Sequence, residues 1–350
     1  MSKIDDLLRK HLKDFTPYST ARDDFKGDKG IFLDANENSL GSVISEKWNR
    51  YPDPRQGHLK RAMGTIKGIA PECIFMGNGS DEPIDLLIRA FCEPGIDEVM
   101  IFPPTYGMYK VAANINNVSV KEVLLTPDFQ LDMDQIKSAL NDQVKIMFIC
   151  SPNNPTGNLI QVQDVLDLAK VFQGIIVIDE AYIDFTDTPS WIQAIPKFPH
   201  LVVLQTLSKA WGLASLRLGM AFCDSKMVDV LNLIKSPYNI SGPVQNRVLR
   251  ALKQEDQMRS FVEEIKVLKN QLYLALEQLP NVLKVYPSDA NFFLVKFTAV
   301  HEVFDYLIGN EIILRNRSGL ALCKDCLRIT VGTAFENEQL ILVLNNYLKI

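Results

Sequence analysis

Histidine and tryptophan are scarce in this 350-residue chain, at four and three copies, and His11, His58, His200 and His301 are scattered along it. A structural zinc site takes about four soft ligands at short spacings. The one C-x-x-C, Cys323–Cys326, has no second pair to complete such a set. The other cysteines, at 73, 92, 150 and 223, stand alone and read as free, mostly buried thiols of a reducing compartment. No Lys/Arg run occurs and the net charge is -5, so the basic face that nucleic-acid binding needs is missing. No stretch approaches the roughly 20 apolar residues of a membrane span. The first residues, Met1-Ser2-Lys3-Ile4-Asp5-Asp6, lack the apolar run of a signal peptide. The expectations are therefore no metal, no nucleic acid, no membrane and a cytoplasmic location. A small anionic ligand stays open, because a few placed arginines suffice to bind phosphate.

What is present is ordinary globular material, 47% hydrophobic and 23% charged, in a chain long enough for two lobes. Short apolar runs suggest strands at Glu98–Phe102, Val118–Leu125, Val144–Cys150, Ile175–Ile178, Leu201–Gln205 and Gly219–Cys223. Several lack alternation, as strands do when both faces of a sheet are covered. Amphipathic stretches at Glu82–Cys92, Asp132–Leu140 and Gln161–Phe172 fall between them. The alternation predicts an α/β fold with a mostly parallel central sheet covered by helices, in a large domain over residues 31–242. One long connecting helix is expected from Pro243 to about Leu279, opening a smaller α+β C-terminal domain over residues 243–350. In that domain an alternating segment (Asn291–Phe297), a helix near His301–Gly309, strands at Ile312–Arg315 and Leu327–Val331, and a closing helix from Asn337 are expected. Residues 1–30 are expected to form an arm packing on the small domain or a partner.

The polar clusters lie where predicted strands end. After Gln205 come Thr206, Ser208 and Lys209, with Arg217 eight residues beyond the lysine. Ligands of open α/β sheets bind at that edge. There a lysine can form an imine with an aldehyde cofactor, and hydroxyls and a guanidinium can hold a phosphate. Alone, this segment reads as well as a surface turn. Asp179-Glu180-Ala181-Tyr182 follows Ile175–Ile178, and a carboxylate there would keep a heterocyclic nitrogen protonated, as an electron sink requires. Asp179, first out of the strand, is the better candidate, although an Asp-Glu pair also suits Mg²⁺. Asn154 sits in the Pro-rich turn Ser151–Gly157, and Gly77-Asn78-Gly79-Ser80-Asp81-Glu82 opens a helix as a phosphate cradle would, or as a simple cap. Tyr106, after Pro103-Pro104-Thr105, offers a ring for stacking on a flat heterocycle.

Taken together these segments resemble the fold-type I pyridoxal-5′-phosphate (PLP) enzymes of the class I/II aminotransferase superfamily, and among them the histidinol-phosphate aminotransferases. The resemblance covers nearly the whole chain and also rests on Thr16-Pro17-Tyr18, Asn36-Glu37-Asn38, Arg50-Tyr51-Pro52-Asp53, Ile313-Leu314-Arg315 and Leu327–Thr333. It implies that Lys209 carries PLP and acts as general acid/base. Asp179 would face the pyridine nitrogen, and Asn154 and Tyr182 would contact the ring O3′. Tyr106 would stack on the ring. Ser80, Asp81, Thr206, Ser208 and Arg217 would surround the cofactor phosphate, with Tyr51 reaching it from the partner of a homodimer. Tyr18, Asn36, Arg315 and Arg328 would face the substrate. The implied reaction passes an amino group between L-histidinol phosphate and 2-oxoglutarate, yielding glutamate. An aromatic or branched amino-acid aminotransferase and an L-threonine-O-3-phosphate decarboxylase are alternatives within the superfamily. A non-catalytic regulator would be expected to lack the lysine or aspartate, or to carry a DNA-binding domain. One departure stands out: where the family commonly has Asn-Glu-Asn-Pro-Tyr/Phe-Gly, this chain has Asn36-Glu37-Asn38-Ser39-Leu40-Gly41.

Overall fold

In a computed structural model that describes residues 3–16 and 30–349, the apolar runs become the strands of two sheets. The larger sheet holds β1 (Ile74–Asn78), β2 (Glu98–Ile101), β3 (Ser119–Glu122), β4 (Val144–Cys150), β5 (Ile175–Asp179), β6 (Leu201–Thr206) and β7 (Leu218–Phe222). Their spatial order is β1-β7-β6-β5-β4-β2-β3. Neighbours from β3 through β6 are parallel, and β7 runs antiparallel to both β6 and β1. The mostly parallel sheet expected from the α/β alternation is therefore present. β1 is the strand that the periodicity did not single out.

Every residue of β5, β6 and β7 is buried. Successive side chains enter opposite layers: Ile176 and Ile178 join one core cluster, Ile175 and Val177 the other. Helices α1 (Lys3–Leu7), α2 (Gly57–Lys67), α3 (Asp81–Phe91), α4 (Met108–Ile115), α5 (Met133–Ala139), α6 (Val162–Val171) and α7 (Ser225–Ile234) supply the covering layers. Two-sided burial explains why these strands read as unbroken apolar runs.

The first described segment packs elsewhere than on the small lobe. Residues 3–16 lie on the large sheet's own helical layer. Ile4 and Leu12 are buried in the cluster that contains α3, and the Arg9 amide donates to the Ala90 carbonyl at 3.0 Å. Ile4, Leu8 and Leu12 recur every four residues, which places three apolar side chains on one side of the segment.

The connecting helix is also not continuous. α8 (Gly242–Ala251) and α9 (Glu255–Glu277) are separated by a 3-10 turn at Leu252–Gln254. Leu252 is buried in the core, and Gln254 leaves the helical region at φ -108 and ψ 35. Glu255 and Asp256 then suit the positive start of a new helix. The smaller sheet, order β10-β11-β9-β8, is antiparallel and consists of β8 (Val282–Val285), β9 (Phe292–Phe297), β10 (Arg315–Asn316) and β11 (Cys326–Thr330). It packs with α10 (Val300–Gly309) and α11 (Ala334–Tyr347). Phe292, Leu294, Cys323 and Cys326 also belong to the core cluster of the large sheet, so the small sheet is packed directly against the large one.

Candidate active site

The C-terminal ends of β4, β5 and β6 border a cavity of about 280 Å³. At one end of it, β1 turns into α3 through Gly79, whose φ is +72 and whose amide donates to the Arg217 carbonyl at 2.8 Å. A Cβ on Gly79 would lie 2.7 Å from Arg217 Nη2, and one on Gly219 would lie 2.3 Å from the Ser80 amide nitrogen. Only glycines let β7 and this turn close together, and that closure brings Arg217 to the start of α3. Ser80 is the N-cap of α3, yet its hydroxyl makes no capping bond. Thr206 and Ser208 line the same end, the Thr206 hydroxyl donating to Ser208 Oγ at 3.0 Å. Uncapped first-turn amides, clustered hydroxyls and a guanidinium are groups that could hold a phosphate.

Strand parity decides between the two adjacent carboxylates. Asp179 shares its face with Ile175 and Val177, on the side of α4, where the Tyr109 hydroxyl donates to Asp179 Oδ2 at 2.6 Å. The Ala181 amide donates to its other oxygen at 3.1 Å. Burial pushes the Asp179 carboxyl up, and the Tyr109 and Ala181 bonds oppose that shift. Glu180 points the other way. It accepts from the Ser190 hydroxyl (2.5 Å), the Trp191 amide (2.7 Å) and Gln205 Nε2 (2.8 Å), and burial raises its carboxyl to about 7. It does not line the cavity; Asp179 does.

Lys209 emerges just past β6 with its Nζ 5.4 Å from the centre of the Tyr182 ring. Burial, then the nearby Arg328 charge, lower the proton affinity of its amine, while Asp179 acts in the opposite sense. A lysine held in this way is poised to accept and return protons. The Tyr182 hydroxyl has no hydrogen-bond partner among the described residues, and burial raises its pKa. Asn153 sews two turns together, donating to the Pro104 carbonyl at 2.8 Å and accepting from the Thr105 hydroxyl at 3.1 Å. This tie holds Tyr106 and Asn154 at the same cavity. Tyr106 Oη donates to Asp81 Oδ1 at 3.1 Å, and Arg217 Nη2 stands 3.5 Å from Asp81 Oδ2.

The small sheet closes the other side. Arg315 on β10 pairs in register with Arg328 on β11, and Arg328 Nη1 donates to Asn154 Oδ1 at 2.5 Å. Arg315 and Arg328 both line the cavity, with Arg317 beside them. The arrangement sets a helix start with nearby hydroxyls, a lysine, a buried carboxylate and three further arginines around one space.

Twelve of the fifteen expected site residues meet there: Ser80, Asp81, Tyr106, Asn154, Asp179, Tyr182, Thr206, Ser208, Lys209, Arg217, Arg315 and Arg328. Tyr51 does not. It is about half exposed and stacks on Tyr238 with ring centres 4.5 Å apart. Asn36 is exposed on the segment that carries Ser39 and Leu40, and that segment does not line the cavity. Tyr18 lies outside the described residues. Sequence reasoning missed Tyr109, Cys150 and Arg317. Tyr109 follows Tyr106 by three residues at the start of α4, and Arg317 follows Arg315 by two on an extended segment. Each spacing was a usable signal.

Residues 24–344 match the family described as aminotransferase class I and II. The chain is 51% identical to histidinol-phosphate aminotransferase of Cytophaga hutchinsonii over 98% of this chain and 99% of that one. It is 46% identical to histidinol-phosphate aminotransferase of Parabacteroides distasonis over 99% of each. In fold it is similar to the crystal structure of histidinol-phosphate aminotransferase from Sinorhizobium meliloti in complex with pyridoxal-5′-phosphate. That likeness has a TM-score of 0.79 at 20% identity and covers 89% of this chain and 90% of the other.

Proposed function

The chain belongs to the class I and II aminotransferases, and on that basis we propose the reaction that it runs. It exchanges an amino group between L-histidinol phosphate and 2-oxoglutarate, giving imidazole-acetol phosphate and L-glutamate, a step of histidine biosynthesis. Its cofactor is PLP. The residues fit that group: the uncapped Ser80 hydroxyl, Thr206, Ser208 and Arg217 suit its phosphate, and the Gly79–Gly219 closure forms the cradle. Asp179 suits the ring nitrogen, Lys209 the aldehyde carbon, Tyr106 the ring face, and Asn154 with Tyr182 the ring hydroxyl. When bound, PLP supplies an aldehyde that takes up the amino group and a protonated ring that withdraws electrons from the substrate Cα.

The chain's own groups do the rest. Asp179, which accepts from the Tyr109 hydroxyl and the Ala181 amide, would face the ring nitrogen and hold the proton there. Lys209, with its proton affinity lowered by burial, takes the proton from the substrate Cα and returns it on the product side. Arg328 binds the α-carboxylate of glutamate in one half-reaction and the phosphate of histidinol phosphate in the other. Its bond to Asn154 couples anion binding to the residue beside the ring hydroxyl. Arg315 adds a second guanidinium for the phosphate.

One observation carries the choice of substrate. Arg315 and Arg328 stand opposite each other at the cavity that contains Lys209, and neither forms an ion pair with a carboxylate among the described residues. The test is a set of half-reactions. Histidinol phosphate, glutamate, phenylalanine, tyrosine and threonine phosphate are mixed separately with the PLP enzyme, and absorbance of the bound cofactor is followed. Conversion by histidinol phosphate and glutamate, with the others far slower, is expected. Release of CO₂ from threonine phosphate would overturn the reading.

The active unit is proposed to be a cytoplasmic homodimer. Leu40 and Val43 are fully exposed, and Ile31, Leu33, Ile44 and Trp48 are exposed on the same segment, an apolar surface that a second copy would cover. Glu37 fastens this segment by accepting from the Arg50 guanidinium at 2.7 Å and the Tyr51 amide at 2.6 Å. Tyr51 is thereby held outside its own cavity, at the segment a partner would meet. Six free cysteines suit a reducing compartment.

A further inference from the structure

Arg317 was not among the expected substrate residues, yet it lines the cavity with Arg315 and Arg328. Residues two apart on an extended strand share a face, and Arg315 pairs in register with Arg328. The Arg317 amide donates to the Cys326 carbonyl at 2.9 Å, so the β10–β11 pairing continues past Asn316 and fixes the backbone. Arg317 Nε is buried with no hydrogen-bond partner. Buried donors are rarely left unsatisfied in native proteins without a reason.

The charges around it are unbalanced. The two carboxylates of the cavity are engaged elsewhere, Asp81 by Arg217 and Tyr106, and Asp179 by Tyr109 and the Ala181 amide. None of Arg315, Arg317 and Arg328 forms an ion pair with a carboxylate among the described residues. Burial and the neighbouring guanidiniums both lower the proton affinity of Arg317. A cavity lined by three clustered cations favours a ligand of high negative charge.

We propose that Arg317 is a specificity-determining residue that favours a phosphomonoester dianion over a carboxylate. This inference rests on the reading of the site as one for a phosphorylated amino donor. A phosphate presents three non-bridging oxygens and so three oxygen–oxygen edges, each of which one planar guanidinium fork can engage. Glutamate presents two carboxylates with one edge each. Two arginines therefore saturate glutamate, and the third finds a full partner only in the phosphate. Phosphate also carries close to two charges at neutral pH, so a third cation adds more to its binding than to that of a carboxylate.

The test uses the PLP-loaded enzyme, whose cofactor phosphate site is filled, with inorganic phosphate as the probe. Calorimetric affinity for phosphate and the KM values for histidinol phosphate and glutamate are compared among wild type, Arg317→Gln and Arg317→Lys. Arg317→Gln is expected to weaken phosphate binding and raise the histidinol phosphate KM about tenfold, the scale of one charge-assisted contact. The glutamate KM should move less than about twofold, since its two edges keep two guanidiniums. Arg317→Lys, which keeps the charge and loses the fork, should fall between. Equal losses for phosphate and glutamate, or no loss for either, would overturn the proposal. If Arg317→Gln does not fold, the same comparison in Arg317→Lys decides by the same criterion. A wild type that ignores histidinol phosphate but binds inorganic phosphate through Arg317 would sink the substrate reading and leave this one standing.

Discussion

The Tyr109 hydroxyl donates to Asp179 Oδ2 at 2.6 Å, and both side chains are buried. Tyr109 also stacks on Phe148 at 4.8 Å and meets Tyr106 edge-on at 5.5 Å. The phenol is thus fixed by packing and its bond to the carboxylate is aimed. Replacing it with phenylalanine keeps the packing and deletes only the donor. The bond lowers the proton affinity of Asp179 against the upward push of burial, so Tyr109→Phe should shift the acid limb of kcat/KM to higher pH. PLP affinity should drop roughly tenfold, the scale of a hydrogen bond to a charged group. An unchanged pH profile with lowered thermal stability would mean that Tyr109 serves packing alone.

Arg328 and Arg315 should separate by substrate. Arg328→Ala removes the contact with Asn154 as well as the anion site, so both half-reactions should slow roughly a hundredfold. Arg315→Ala should raise the KM for histidinol phosphate more than that for glutamate. Stopped-flow half-reactions with each donor measure the split. Equal losses at Arg315 would mean that its guanidinium does not distinguish the two anions.

Glu180 predicts a pH dependence of stability. Its carboxyl is raised to about 7 by burial, against 4.5 in the unfolded chain. Between those pH values the folded protein keeps a proton that the unfolded chain has released, so stability falls as pH rises through the window. Above pH 7 both states are ionised and the contribution stops changing. The total is on the order of 3 kcal/mol at about 1.36 kcal/mol per unit. Denaturant unfolding of wild type and Glu180→Gln between pH 4 and 8 should show this slope in the wild type only. Parallel curves would show that the carboxylate stays ionised among its three donors.

Lys209 and Tyr51 test the chemistry and the dimer together. Lys209→Ala should fold and still hold PLP non-covalently while turnover is lost. Borohydride should fix the cofactor at Lys209 in the wild type, and labelling at Lys226 or Lys235 would refute the assignment. When Lys209→Ala and Tyr51→Ala subunits are allowed to exchange, a shared site gives each hybrid dimer one intact centre. Activity should then recover to roughly a quarter of wild type for equal mixing. No recovery, with exchange demonstrated and Tyr51→Ala inactive alone, would place Tyr51 in its own subunit's service.

Much of the site was legible because its residues sit where strands end. Asp179, Thr206 and Asn154 each follow an apolar run, and parallel strands bring such ends to one edge whatever the details of packing. The choice of Asp179 over Glu180 also followed from position, and strand parity gives it a physical basis. β1 and β8 were not legible. β1 is short with Gly77 in it, and the first three residues of β8 are not buried, so neither shows a clean apolar run. The break between α8 and α9 was hidden as well, since it depends on Leu252 reaching a core built by distant segments.

The amino-acid sequence by itself determined the α/β order, the polar turns after each strand, and the lysine and carboxylate that chemistry needs. Those features depend on residues within a turn or a strand of one another. The tertiary structure alone decided which remote groups support them. Tyr109 meets Asp179 across 70 positions of chain, and Arg328 meets Asn154 across 174. Arg317 enters the cavity because β10 pairs with β11 and the small sheet packs on the large one. Local spacing carries no information about such meetings, because they are set by how two independently patterned sheets bury their apolar faces against each other.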